Sequence, residues 1–249
     1  MNYQRLQKCG QPGKRDILCG RLPQHNKTVG IHMAETSLLE PLTGHIGFDS
    51  LIAKLADEHD ADKAEAIREG IVDKFGVEGI VFISDMASFS STSRKRGVCH
   101  FLKLIHRTRR IIAPIIAANN GKLLKCEADN CYAFFETPDD AIQASFDVNA
   151  ALFASNRDFE VEEKVFLSVG IDYGRVLLIG DQDYFGDPVN TASKLGEDLA
   201  IHAETLVTKR ALERSNFQVP QLAERMVARI SDIEIKYVRL PMTEETGSY

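Results

Sequence analysis

Lys122-Leu123-Leu124-Lys125-Cys126-Glu127-Ala128-Asp129-Asn130-Cys131-Tyr132-Ala133-Phe134-Phe135 lies at the middle of this chain. Two apolar and aromatic runs flank Glu127-Ala128-Asp129-Asn130, which predicts a β-hairpin with its bend at those four residues. Upstream, Asn119-Asn120-Gly121 is a turn signal that closes a helical stretch from about Gly97 to Ala118. Before that helix, Gly79-Ile80-Val81-Phe82-Ile83-Ser84-Asp85 predicts a strand ending in a carboxylate. Downstream, Pro138 opens a helix to about Phe153, and strands are expected at Val165 to Tyr173 and Val176 to Ile179. Pro188 then begins a helix through about Ala200, and Ile233 to Leu240 predicts a last strand. The order strand, helix, strand, strand, helix, strand predicts an α+β sandwich, with helices on one face of a largely antiparallel sheet.

The chain ahead of this unit has a different period. Phe48, Leu51, Ile52, Leu55 and Ala56 share one helix face, and Ala64, Ile67, Ile71, Val72 and Phe75 form a second stripe. The polar Asp57-Glu58-His59-Asp60 between them leaves either two helices or one interrupted helix, with Gly76 as the expected C′ residue. Residues 29–76 are therefore expected to be a helical extension that packs or dimerises rather than senses a ligand, and residues 1–76 could meet a regulatory partner. Residues 1–28 hold six basic side chains (Arg5, Lys8, Lys14, Arg15, Arg21, Lys27) and one acid, Asp16, in a chain of 249 residues whose net charge is −6. That arm is expected to be a solvated tail, with an acidic partner or a membrane surface as the other reading.

Composition excludes several classes. Hydrophobic residues at 44% and charged residues at 27% support a folded core and exclude wholesale disorder. The acidic remainder argues against nucleic-acid binding. The longest strongly apolar run, Ile111 to Ala118, contains Pro114 and falls far short of the roughly 20 residues a membrane helix needs. The N-terminus lacks a signal-peptide core, so a cytoplasmic location is expected. Five cysteines (Cys9, Cys19, Cys99, Cys126, Cys131) without a CxxC pair predict reduced thiols rather than a disulfide framework. For Cys126 and Cys131, core thiols are expected, with metal contact the alternative.

Two acids stand out by position. A β-α-β-β arrangement brings the end of the first strand beside the hairpin bend, and so Asp85 beside Asp129. Carboxylates placed together repel unless a cation lies between them, and a hard divalent ion such as Mg²⁺ suits oxygen ligands. Ala87-Ser88-Phe89-Ser90-Ser91, just after Asp85, is expected to enter a helix whose free N–H groups favour an anion such as a triphosphate.

The run Asp183-Tyr184-Phe185-Gly186-Asp187-Pro188-Val189-Asn190-Thr191-Ala192-Ser193-Lys194-Leu195 resembles the signature of the class III nucleotidyl cyclase catalytic domain. Phe82-Ile83-Ser84-Asp85-Met86-Ala87-Ser88-Phe89-Ser90 resembles that family's first metal motif, and Lys125-Cys126-Glu127-Ala128-Asp129 its Lys-Thr-x-Gly-Asp motif. The separation of 44 residues between Asp85 and Asp129 is also the family's. The resemblance covers about residues 77–241 and leaves 242–249 as a tail. It implies a ferredoxin-like βαββαβ catalytic domain, and an adenylyl cyclase that makes 3′,5′-cyclic AMP and pyrophosphate from ATP.

By the same resemblance, Asp85 and Asp129, with the carbonyl of Met86, hold two Mg²⁺ or Mn²⁺ ions. Ser88, Phe89 and Ser90 bind substrate, Lys125 and Asp183 read the base, Asn190 positions the ribose and transition state, and Lys194 stands where the family usually has a transition-state Arg. A Lys can donate to an adenine ring nitrogen while a carboxylate accepts from the N6 amine, so ATP is expected over GTP. In this family the metal pair and the base-reading pair come from different protomers, which implies a head-to-tail homodimer with two shared sites.

Departures from the pattern point to the alternative, a cyclase-like module that binds nucleotide and turns over little. Lys194 lacks the planar fork of Arg, and Ser88 and Ala128 replace glycines. Arg229 and Lys236 both lie near the position of the family's phosphate-binding Lys. The cluster His106, Arg107, Arg109 and Arg110 is expected to be a solvated helix face or a regulatory anion site, and His59 and His202 to have no catalytic part.

Overall fold

A computed structural model describes residues 41–86, 96–220, 223–230 and 233–241, which fall in one compact unit. The basic arm, the first part of the extension, Ser88, Phe89, Ser90 and the tail lie outside the described residues.

At the centre is β1 (Gly76–Met86). Ile80 and Phe82 belong to one core and Val81 and Ile83 to another, and all four are fully buried. A strand covered on both faces reads as an unbroken apolar run, which is why this one shows no polar alternation. The first core is closed by α3 (Val98–Ala118) through Leu104, Ile105, Ile112 and Ile116, and by α4 (Pro138–Ser155) through Ile142, Val148 and Leu152. Thr137 caps α4, its hydroxyl accepting from the Asp140 N–H at 3.2 Å.

β1 pairs antiparallel with β3 (Asn130–Phe135) on one side and with β4 (Leu167–Ile179) along its length on the other. β2 (Lys122–Glu127) lies outside β3 as the edge strand. Beyond β4 come β6 (Glu204–Thr208), β8 (Ile233–Pro241) and β7 (Glu224–Ile230). The order is β2-β3-β1-β4-β6-β8-β7, with short β5 (Asp183–Phe185) also pairing with β4. The β1-α3-β2-β3-α4-β4 portion is the βαββαβ unit expected.

Several expectations change. The helices are not confined to one face: Ala192 of α5 (Asp187–Ser193) and Tyr184 of β5 pack on Val81 and Ile83 from the opposite side. Gly170 permits this approach, since a Cβ there would sit 2.0 Å from the Ala192 carbonyl oxygen. The helix expected to reach Ala200 ends at Ser193 and runs on as a π-helical turn, Lys194–Leu199. The two strands expected before Ile179 are one, because Gly174 and Arg175 stay in register with Gly79 and Glu78. The hairpin bend narrows to Ala128 and Asp129, since Glu127 and Asn130 pair with each other.

β5, β6 and β7 were not foreseen. β6 hides a polar composition by pairing it inside, with Thr205 donating to Ser145 at 3.0 Å and Glu204 accepting from the Ile201 N–H at 2.9 Å.

The extension forms two helices, α1 (Ile46–Asp57) and α2 (Ala61–Phe75), the second capped by Asp60. Gly76 is not a left-handed C′ residue. Its φ of −75° is extended and opens β1 directly, and a Cβ there would lie 2.3 Å from the Val72 carbonyl oxygen. Phe48, Ile71 and Phe75 cluster with Ile179, and Phe48 stacks on Phe185 with centroids 6.0 Å apart. Among the described residues, no helix is long and apolar enough to cross a membrane.

Candidate active site

One end of the sheet gathers acids. β1 carries Asp85 next to its last residue, and the β2–β3 turn carries Asp129. Ala128, the other turn residue, has φ +46°, a left-handed conformation that a Cβ makes costly by about 1 kcal/mol relative to glycine. The turn is braced from α3, where the Arg109 guanidinium donates to the carbonyls of Cys126 at 2.8 Å and Ala128 at 3.1 Å. The basic cluster of α3 divides: His106 and Arg110 are exposed, as a solvated face would be, whereas Arg109 is half-buried and Arg107 stacks on Phe159, 4.0 Å from the ring centre, and donates to Asn156 at 3.3 Å.

A third carboxylate joins the two expected ones. Glu197, from the π-helical turn, accepts from the Asn130 side-chain amide at 3.0 Å. Burial, then the negative charges of Asp129 and Glu197, push the Asp85 carboxyl up to about 7, against a lowering hydrogen bond from the Met86 backbone. Glu197 is itself raised, by burial and by Asp198.

This donor set is all oxygen and over-supplied with negative charge, and so fits a hard divalent cation. Among the described residues, no group of three or more His, Cys, Asp or Glu is placed to hold a metal ion alone. Such an ion would need further oxygens, as Mg²⁺ commonly takes from substrate phosphates. The Oδ1 of Asn130 is buried without a hydrogen-bond partner at the same end.

A second cluster forms around Lys125. Its ammonium donates to Asp183 at 2.9 Å, lies 3.1 Å from Glu127, and sits 5.0 Å from the centre of the Tyr132 ring. Burial works to lower the Lys125 pKa, but the bonds to Asp183 and Glu127 outweigh it and leave it raised. Asp183 is fixed in turn by the Tyr184 N–H at 2.8 Å, and the Tyr184 hydroxyl donates to the Phe82 carbonyl at 3.2 Å.

Asn190 and Lys194, one helical turn apart and exposed, line a cavity of about 350 Å³ with Asp187, Thr191, Ile233 and Ile235. Lys194 pairs with Asp198 at 2.8 Å. Lys236 lines a neighbouring cavity of about 290 Å³ that shares Asp187, Thr191, Ile233 and Ile235. Arg229 stands opposite Glu234 on the β7–β8 hairpin.

The start of α5 is held by an ion pair that the sequence did not signal. Asp172, fully buried, accepts from Thr208 at 2.5 Å and from Arg210 Nε at 2.7 Å, while Arg210 also donates to Asp187 at 2.8 Å. Glu197 was missed as well, and Arg109 and Glu127 were named only within the basic cluster and the hairpin bend, not as members of the site. Glu197 lies three residues past Lys194 and so near its helix face.

The profile of the adenylate and guanylate cyclase catalytic domain matches residues 74–238. A putative adenylate cyclase 3 from Rhizobium meliloti (strain 1021) is 24% identical over 115 residues, which are 46% of this chain and 19% of that protein. Among solved structures, an adenylate/guanylate cyclase/hydrolase from Silicibacter pomeroyi matches with a TM-score of 0.58 and 22% identity, over 67% of this chain and 98% of that one. A bacterial light-regulated adenylyl cyclase matches at 0.54 and 24%, over 66% and 89%. A guanylate cyclase domain from Catenaria anguillulae, in complex with GTP, matches at 0.55 and 14%, over 66% and 96%. These structural likenesses establish the fold, and they include proteins named for either purine.

Proposed function

Since the chain belongs to the adenylate and guanylate cyclase catalytic domain family, we propose that it is an adenylyl cyclase, converting ATP to 3′,5′-cyclic AMP and pyrophosphate at sites shared by a homodimer. The observation that carries the choice of ATP is the Lys125–Asp183 pair at 2.9 Å. It offers one fixed donor and one fixed acceptor. The Asp183 carboxylate accepts from the adenine N6 amine and Lys125 donates to a ring nitrogen, whereas guanine would turn a carbonyl toward Asp183.

Asp85 and Asp129, with the Met86 carbonyl, would hold two Mg²⁺ or Mn²⁺ ions, which when bound neutralise phosphate charge and acidify the ribose 3′-OH. Asn190 orients the ribose, and Lys194 meets the charge that develops as the 3′ oxygen displaces pyrophosphate. Lys236 is our choice for the triphosphate contact, because its cavity adjoins that of Asn190. Membership of the family supports a dimer in which each protomer completes the other's site. We assign residues 77–241 to the catalytic domain and 29–76 to a helical extension.

One observation favours a second reading, a nucleotide-binding module of low turnover: Lys194 is tied to Asp198 and has no guanidinium fork. Incubation with each nucleoside triphosphate and Mg²⁺ or Mn²⁺, with products identified by mass, separates the readings. Cyclic AMP is expected, with at least a 100-fold loss in Asp85→Ala. Cyclic GMP as the main product would overturn the assignment of the base, and tight ATP binding without product would favour the second reading.

A further inference from the structure

Cys126 and Cys131 face each other across the hairpin that carries Asp129. Glu127 and Asn130 close its two-residue turn as a hydrogen-bonded pair, so the next pair outward, Cys126 with Cys131, is of the non-hydrogen-bonded kind. In such a pair the Cα atoms are about 4.5 Å apart, and a disulfide takes Cα separations of about 4.4–6.8 Å. Directly opposed residues also project to the same face. Cys131 is a member of the core between the sheet and the α3–α4 helices, and Cys126 packs against that core. Cys131 is 2% exposed, while Cys126 is partly exposed and lies on the edge strand. The cyclase reaction uses neither thiol.

We propose that Cys126 and Cys131 are a redox modification site, closing to a reversible cross-strand disulfide on exposure to a hydroperoxide. The more accessible Cys126 sulfur attacks the peroxide, the O–O bond breaks, and a sulfenic acid forms on Cys126 as the first water leaves. The Cys131 sulfur then displaces the sulfenic hydroxyl, which departs as a second water with the Cys131 thiol proton. Two thiols lose two electrons, and hydrogen peroxide is reduced to two waters. A small dithiol reverses the bond by exchange.

The bond acts where the chemistry is most sensitive to position. It draws the two Cβ atoms to about 3.8 Å, and Asp129 lies in the turn it encloses, which Arg109 holds by the carbonyls of Cys126 and Ala128. A shift of about 1 Å in a reacting group can cost about 100-fold in rate. The loss of turnover rests on the cyclase reading; the disulfide itself does not.

The test uses the full chain with Cys9, Cys19 and Cys99 replaced by Ser. Cleavage after Lys and Arg leaves Cys126 and Cys131 in one fragment, residues 126–157. After mild hydrogen peroxide this fragment should lose about 2 mass units, regain them with dithiothreitol, and show no loss in Cys126→Ser or Cys131→Ser. Cyclic nucleotide formation should fall at least tenfold and recover with the dithiol, while Cys131→Ser stays insensitive. Two thiols that remain open to alkylation, or oxygen added to Cys126 without linkage, would overturn the proposal. A linked fragment with unchanged turnover would overturn its action on Asp129. A linked fragment in a protein whose reduced form makes no cyclic nucleotide would sustain the disulfide and count against the cyclase reading alone.

Discussion

Asp85 sits among groups that favour its proton, with burial raising it most and Asp129 and Glu197 adding to that, to a pKa of about 7 against an ordinary 3.8. A carboxyl whose folded pKa is raised costs stability as pH climbs from its unfolded value through its folded one. Because Asp85 is only partly buried, the cost is about 1–2 kcal/mol above pH 7. Asp85→Asn should therefore melt about 4 °C higher than the parent at pH 8 in chelator, with the gap closing at pH 5. Mg²⁺ should raise the parent's melting point and not the variant's. Scanning calorimetry checks both, and equal melting at pH 8 would mean the acids do not crowd one another. At this scale the sequence was informative where a residue type is tied to a motif, as for Asp85, Asp129, Lys125 and Asp183. It did not bring Glu197 or Arg109 to the site, because their parts come from Asn130 and from the carbonyls of a turn on another element.

The element whose placement matters most for the proposed base contact is β5, three residues long and carrying Asp183. A strand that short has no period to read, and it is held by its neighbours: β4 along one side, Tyr184 inserted toward Phe82, and Phe185 stacked on Phe48 of α1. Phe48 is 2% exposed, so Phe48→Ala should cost about 3 kcal/mol in chemical denaturation. Loss of the stack should also loosen β5, raising KM for ATP several-fold with a smaller change in kcat. A stability loss with KM unchanged would confine α1 to packing. Helices α3 and α4 were legible because each keeps an apolar stripe over many turns. β6 and β7 were not, since β6 buries Glu204 and Thr205 through partners remote in sequence, and β7 is an exposed strand that alternates weakly.

For the whole molecule the proposed unit is the dimer. If the acids and the base-reading pair of one site come from different protomers, a single protomer holds half-sites. Mixing Asp85→Ala with Asn190→Ala protein should restore activity to about a quarter of the parent's, since half of randomly mixed dimers are hybrids and each hybrid has one intact site of two. Mixtures as inactive as the separate variants, both folded and dimeric, would exclude shared sites. Chain order and residue type were enough for the βαββαβ unit and singled out Asp85, Asp129 and the donor and acceptor proposed for the base, because those depend on local period and on motifs contained in short stretches. Folding added what no stretch contains. The approach of α5 through Gly170, the third carboxylate of Glu197 and the Arg109 brace arise only where segments distant in sequence are packed together, with each hydrogen bond and charge placed by a neighbour across the core.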